Sequence, residues 1–163
     1  MSTGLVVGKF TPFHLGHKYL IDTALEYCDR TVYVLPYSNP DLGLSQKQRI
    51  KQIFDHYIDE PRIWVLHTGQ DVIPSNDVSA LGHRWFCAVQ VFKHVAMYNA
   101  LGTGIQFPDY VFTSEDYGDG FAEYLSLVFN KEVKHICVDK ERKMFPISGT
   151  KIRNGGYDEW KVA

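Results

Sequence analysis

The residues best placed to do chemistry lie in one stretch near the N-terminus: Gly8-Lys9-Phe10-Thr11-Pro12-Phe13-His14-Leu15-Gly16-His17. Before it, Leu5 to Val7 is a short apolar run that Gly8 breaks, as in a buried strand. After it, Leu20, Ile21, Ala24, Leu25 and Cys28 recur at helical spacing from Lys18 onward. The stretch therefore carries a strand into a helix N-terminus, where open backbone N–H groups and the helix dipole favour an anion. His14 and His17 stand three apart around the small Gly16, which sets both rings on one side of the first turn. Imidazoles beside an anion can carry a proton and donate hydrogen bonds to it, and Lys9 adds a fixed positive charge. The plain alternative is a helix cap with incidental histidines. Two His, a Lys and several punctuating residues in one strand–loop–helix argue against it.

A second stretch of the same character lies near the C-terminus, Ile147-Ser148-Gly149-Thr150-Lys151-Ile152-Arg153. Ser148 suits an N-cap, the Ser, Gly and Thr leave backbone amides open to a phosphate, and Arg153 lies one turn on with its planar fork. Alone it reads equally well as a capped helix. Two anion-binding helix starts on one sheet are a stronger signal than either.

The elements that must position these stretches follow from periodicity. Strands are expected at Leu5–Val7, Thr31–Leu35, Ile63–Leu66, Tyr110–Phe112 and His135–Val138. Between them, a helix runs to about Cys28. A second opens at Ser45, whose S-x-x-Q spacing with Gln48 is that of a capping box, and Ile50, Ile53, Phe54 and Tyr57 give it an apolar face. A long helix spans about Ala80–Leu101 and stops at Gly102 and Gly104, a short one covers Phe121–Val128, and a last one starts near Ser148. The segments Tyr37–Gly43 and Thr68–Val78 read as loops. Alternating strands and helices predict an α/β fold, a Rossmann-like three-layer sandwich with a mainly parallel five-stranded sheet and helices on both faces. Residues 1–163 are expected to form a single domain. In such sheets ligands sit beyond the carboxyl ends of the strands, so the loops after strands one, two, four and five should meet there.

GKFTPFHLGH together with ISGTKIR resembles the nucleotidylyltransferase superfamily with HxGH and ISxTxxR signatures. More narrowly the chain resembles the NMN adenylyltransferase domain of bifunctional NMN adenylyltransferase/ribosylnicotinamide kinases. That narrower likeness rests on Lys9-Phe10, on Tyr110-Val111-Phe112-Thr113-Ser114-Glu115, and on Val138-Asp139 leading through Arg142 into Phe145-Pro146-Ile147-Ser148-Gly149-Thr150. The likeness spans roughly Leu5 to Arg153. There are departures. Many relatives have Asp where this chain has Thr11, which puts one sugar or phosphate contact in doubt. No G-x-x-x-x-G-K-[ST] occurs and no helix-turn-helix pattern precedes the first strand, so neither kinase nor repressor activity is expected of this chain.

The resemblance implies transfer of AMP from ATP to the 5′-phosphate of NMN, giving NAD and pyrophosphate, with Mg²⁺ accompanying the ATP. The nucleophile, a phosphate oxygen with a second pKa of ~6, is already ionised and needs no dedicated base. Positioning and electrostatics must then supply most of the catalysis. On this reading His14 and His17 donate to the ATP phosphates, with Lys9 and Arg153 completing the catalytic set. Gly8, Phe10, Gly16, Arg49, Ser148, Gly149 and Thr150 surround the phosphates, Trp85 stacks on the nicotinamide, and Thr113, Ser114 and Glu115 line the adenosine pocket. The plain alternatives are a solvated cation for Arg49, core packing for Trp85 and an ordinary loop for the last three. Arg142 and Lys143 form either a basic flap or a solvated loop. His56, His67, His83, His94 and His135 have no paired spacing and are expected to be structural. Nicotinate mononucleotide, phosphopantetheine or glycerol 3-phosphate are the competing acceptors, CTP the competing donor, and a non-catalytic NMN/ATP-sensing domain the competing class.

Bulk properties are compatible with this and narrow it little. A formal charge of −2 with no basic block gives no case for a nucleic-acid partner. No apolar run approaches the ~20 residues that span a bilayer. The start MSTGLVVGKF lacks the shape of a signal peptide, so a cytoplasmic location is expected. Cys28, Cys87 and Cys137, odd in number and widely spaced, suggest neither disulfides nor zinc and are expected to be buried thiols. The long helix, with Phe86, Val89, Phe92, Val95 and Ala96, has apolar surface enough to serve both a core and a neighbouring subunit, so a homo-oligomer is compatible with the sequence.

Overall fold

The computed structural model describes residues 2–8, 10, 13–36, 45–67, 81–114 and 117–138, with only the backbone of 81–86 and 117–118. In chain order the elements are β1 (Gly4–Gly8), α1 (Leu15–Tyr27), β2 (Val32–Pro36), α2 (Gln46–His56), β3 (Ile63–Val65), α3 (Leu81–Ala100), β4 (Tyr110–Thr113), α4 (Tyr117–Phe129) and β5 (Lys134–Cys137). The strands form one five-stranded sheet in the order β3-β2-β1-β4-β5. Every pairing is parallel, with Gly8 beside Pro36 and Thr113 beside Cys137 at the carboxyl ends.

The side-chain alternation of the strands explains the layers. Leu5 and Val7 on β1, Tyr33 and Leu35 on β2 and Val111 on β4 face one way and pack on Cys87, Ala88, Val91 and Val95 of α3 and Phe121, Leu125 and Phe129 of α4. Val6, Val32, Val34 and Phe112 face the other way, onto Leu20, Ile21 and Ala24 of α1 and Ile53 of α2. Strands buried on both faces read as continuous apolar runs, which is what LVV and VYVL are. The chain winds from β1 to β2 to β3, then returns past β1 to place β4 on its other side. The strand order therefore reverses between β1 and β4, the crevice where an open parallel sheet accepts ligands.

Some boundaries differ from the sequence expectation. Helix α1 begins at Leu15, ahead of Lys18, because His14 acts as its cap, a role usually taken by Ser, Thr, Asp or Asn. Helix α4 begins at Tyr117, ahead of Phe121, its first turn masked in the sequence by the poor helix formers Gly118 and Gly120. Helix α2 buries Gln46, Arg49 and Ile53 and leaves Phe54 exposed. On α3, Val95 is buried while Phe92 and Ala96 are exposed and Val89 is half-buried. Cys28 and Cys87 are buried as expected, but Cys137 is exposed on β5, an edge strand among the described residues. The stop of α3 is as read: Gly102 takes φ +86°, in the left-handed region that favours glycine.

Gly4 illustrates how tightly β1 sits. A Cβ there would lie 2.9 Å from Cys28 Sγ and 2.9 Å from Phe112 Cε2. Gly4→Ala is expected to destabilise the fold by about 1–3 kcal/mol through overpacking, read as a lowered urea midpoint at unchanged m-value.

Candidate active site

The site is built where β1 ends. His14 adopts an extended conformation (φ −128°, ψ 175°) as the N-cap of α1. Its Nδ1 accepts from the backbone N–H of Gly16 (3.0 Å) and of His17 (3.3 Å). Three residues on, Nδ1 of His17 accepts from the backbone N–H of His14 (3.3 Å), so the two imidazoles form a reciprocal capping box. The rings stack with centroids 3.7 Å apart and planes inclined by 18°. This geometry settles the tautomers. A ring nitrogen that accepts cannot also carry the proton, so in each neutral ring the proton is on Nε2 and Nε2 is a donor. Imidazole caps also differ from aspartate caps in electrostatics. They satisfy the helix amides without bringing a negative charge, and the first turn of α1 has no acidic residue, so the positive end of the helix dipole is preserved for an anion.

Phe10 holds this pair from the side. Its backbone lies in the left-handed region at φ +53°, costly for a residue with a Cβ, and its side chain is fully buried. The ring packs 4.4 Å from the His17 ring and 5.9 Å from Phe13, and Phe13 in turn meets the His56 ring edge-on at 5.7 Å. Gly8 lies beneath it, where a Cβ would make a tight contact, 3.1 Å from Phe10 Cε2.

Helix α2 brings a second positive group to the same edge. Ser45 caps it, accepting from the Gln48 N–H at 3.2 Å while Gln48 Oε1 accepts from the Ser45 N–H at 2.8 Å, as the S-x-x-Q spacing implies. Gln46 Nε2 donates to the Pro36 carbonyl (2.9 Å), pinning the start of α2 to the carboxyl end of β2, directly beside Gly8 in register. One turn further along the same buried face is Arg49, with no exposed surface. A guanidinium keeps its charge when buried, so Arg49 is no solvated surface cation. Helices α1 and α2 are braced by Tyr57, whose hydroxyl donates to Asp22 Oδ1 (2.7 Å), while Lys18 Nζ holds the other oxygen of Asp22 (2.6 Å). Burial, reinforced by that carboxylate, pushes the Tyr57 hydroxyl far above its usual range, so it stays a donor.

On the other side of the β1/β4 crevice, β4 ends in Thr113, buried, followed by the half-buried Ser114. Thr113 Oγ1 lies 2.7 Å from Nε2 of His135 on β5, and Nδ1 of His135 lies 3.0 Å from Asp119 Oδ1 on α4. The sequence reading missed this connection because His135 has no partner at short sequence spacing. Of the other described histidines, His94 bonds the carbonyls of Gln90 and His67, His56 packs on Phe13 and Tyr57, and the His67 side chain is exposed. Burial pushes the thiols of Cys28 and Cys87 up to about 11 and about 12, which removes them as nucleophiles.

Of the residues singled out from sequence, Gly8, Phe10, His14, Gly16 and His17 share one loop and helix start, and Arg49, Thr113 and Ser114 flank the same sheet edge. Lys9, Glu115, Ser148, Gly149, Thr150 and Arg153 lie outside the described residues, as do the side chain of Trp85 and the flap residues Arg142 and Lys143. Among the described residues no group of three His, Cys, Asp or Glu is arranged to hold a metal, and no helix is long and apolar enough to cross a membrane.

The comparisons with known proteins agree with this architecture. The trifunctional NAD biosynthesis/regulator protein NadR of Salmonella typhimurium is 26% identical over 168 residues, covering 98% of this chain and 38% of that protein. NadR of Escherichia coli K12 is 25% identical over 168 residues, with the same coverage of 98% and 38%. The chain thus spans about two fifths of the length of these curated relatives. A crystal structure of a NadR protein in complex with NAD and AMP-PNP superposes with a TM-score of 0.62 at 20% identity, over 94% of this chain and 42% of that one. A bifunctional NMN adenylyltransferase/ADP ribose pyrophosphatase of Francisella tularensis, complexed with AMP and a Mn ion, gives 0.52 at 18%, over 99% and 44%. At these identities the likeness to the solved structures is one of fold. A family model described as cytidylyltransferase-like matches residues 5–155, from β1 through both the GKFTPFHLGH and ISGTKIR stretches. The chain belongs to the cytidylyltransferase-like family, within the HxGH nucleotidyltransferases that its first loop resembles.

Proposed function

We propose that this chain is a nicotinamide-nucleotide adenylyltransferase, transferring AMP from ATP to the 5′-phosphate of NMN to give NAD and pyrophosphate in the cytoplasm. The observation that carries the chemistry is the paired imidazole cap. Both Nδ1 atoms are engaged by backbone amides, so both Nε2 atoms are donors at a helix start that retains its positive potential. Among the described residues the pair offers donors in place of a general base, which suits two polyanions that must be brought together. An oxygen of the NMN phosphate attacks the α-phosphorus of ATP, the bond to the bridging oxygen breaks, and pyrophosphate leaves with the bonding pair. His14 and His17 donate to the phosphates as charge moves onto the leaving group, and such preorganised donors act most strongly in the transition state.

Arg49 adds charge from α2, and Lys9, Ser148, Gly149, Thr150 and Arg153 complete the phosphate shell, with Gly8, Phe10 and Gly16 supplying a close backbone. Trp85 stacks on the nicotinamide, and Thr113, Ser114 and Glu115 line the adenosine side. Mg²⁺ accompanies ATP, held by phosphate oxygens and water, and reduces the charge of the triphosphate.

The NadR relatives at 26% and 25% identity are named for NAD biosynthesis, which supports a reaction that yields NAD, and the cytidylyltransferase-like name of the family does not select the base. Pyrophosphate release from Mg-ATP, measured with NMN, nicotinate mononucleotide, phosphopantetheine and glycerol 3-phosphate in turn, tests the reading. Turnover is expected with NMN. Turnover with another acceptor and none with NMN would reject it, and tight ATP binding without any turnover would make the chain a sensor.

A further inference from the structure

We propose that His135 is a positioning residue which, backed by Asp119, fixes the direction of the Thr113 hydroxyl at the nucleotide end of β4. The inference rests on the adenylyl-transfer reading, in which Thr113 stands at the adenosine side of the site. It begins from a side chain the mechanism does not otherwise use. His135 lies on an edge strand, yet its side chain is only 6% exposed, because α4 packs over it. Both ring nitrogens have defined neighbours: Asp119 Oδ1 at 3.0 Å from Nδ1 and Thr113 Oγ1 at 2.7 Å from Nε2.

The polarity of this chain of bonds follows from what each group can do. A carboxylate only accepts, so Asp119 calls for a proton on Nδ1 of His135. In the neutral ring Nε2 then has a lone pair and must accept, and the group it accepts from is the Thr113 hydroxyl. The Thr113 hydrogen is thereby committed toward β5, and its oxygen lone pairs face away from His135. Removing the Asp119 carboxylate lifts this constraint. With the proton on Nε2, the ring would donate to Thr113 and the hydroxyl would have to turn its hydrogen elsewhere.

The same threonine is held through its backbone, since its carbonyl accepts the Val138 N–H at 2.8 Å. Main chain and side chain of Thr113 are therefore both tied to β5 at the point where the chain leaves β4. His135 thus sets a hydrogen-bond polarity at the sheet edge, over and above packing. Its partner Asp119 is 88% exposed and can be changed with little disturbance of the core.

The test uses Asp119→Ala, Thr113→Val and the double variant, each titrated with Mg-ATP, together with nitrogen-15 NMR of the histidine rings. Wild-type His135 is expected in the Nδ1–H form, and Asp119→Ala is expected to shift it toward Nε2–H. Each single variant is expected to weaken Mg-ATP binding about 5- to 10-fold, the scale of one misdirected hydrogen bond. The double variant should bind no more weakly than Thr113→Val alone, because His135 acts through that hydroxyl. In turnover, Asp119→Ala should raise KM for ATP with little change in kcat. A wild-type Nε2–H ring, an Asp119→Ala variant that binds Mg-ATP as the wild type does, or fully additive effects would each overturn the proposal. Failure of the wild-type protein to bind Mg-ATP would instead overturn the adenylyl-transfer reading beneath it.

Discussion

Replacing His17 by alanine is expected to lower kcat for pyrophosphate release at least ~100-fold, the scale for removing one preorganised donor from a developing negative charge. Two losses combine. The first is the Nε2–H donor itself. The second is orientation of its neighbour, because the His17 ring stacks on His14 at 3.7 Å and closes the reciprocal cap by accepting the His14 N–H. The cap contributes to stability only on the order of 1 kcal/mol, so the variant should remain folded at ordinary temperature. If the donor acts mainly in the transition state, kcat and kcat/KM fall together while KM for ATP changes little. Steady-state kinetics alongside a urea titration separate these effects. Near-normal turnover in a folded variant would remove His17 from the mechanism.

Phe10→Ala should cost about 3–5 kcal/mol of stability, typical of deleting a fully buried aromatic ring. The ring fills the space over Gly8 and flanks Phe13 and His17, so its loss leaves a cavity beside the imidazole pair. A second variant distinguishes backbone from side chain. At φ +53° alanine retains the unfavourable Cβ contact that glycine lacks. Phe10→Gly is therefore expected to be more stable than Phe10→Ala by about 1 kcal/mol, the reverse of the order in a helix or strand. Equilibrium urea unfolding of both variants checks it. An alanine variant at least as stable as the glycine one would mean that the left-handed conformation at position 10 carries no strain. Activity should fall in both, because His17 loses the surface that holds its ring.

Local chemistry was legible without coordinates. The capping box at Ser45 and Gln48 involves residues three apart, and their bonds form as soon as the helix does. The stop at Gly102 needs only a residue that tolerates positive φ. The same locality made the first loop readable. A glycine after a short strand and two histidines around a small residue at a helix start mark a local strand–loop–helix whose open backbone amides and dipole favour an anion. The cap role of His14 was harder to see, because histidine is not a usual capping residue and its Nδ1 had to be placed before it could be recognised.

What only the tertiary structure decided was which distant residues share an environment. Arg49 lies on α2 at a position where a solvated cation and a buried one look alike in sequence. Its burial follows from the Gln46 anchor on Pro36, which rotates Arg49 inward and Phe54 outward. The bond between Thr113 and His135 joins residues 22 apart and depends on the parallel register of β4 and β5 and on α4 closing over that edge. Periodicity states which side of a strand or helix is apolar. Strand order and register, set by the competition of all the layers for one core, state which neighbours that side receives. The sequence by itself therefore determined the strand–loop–helix that carries the histidine pair and the alternation of elements. The packed sheet alone decided that Arg49 is buried, and that a histidine without any local signal is bonded to the threonine that ends β4.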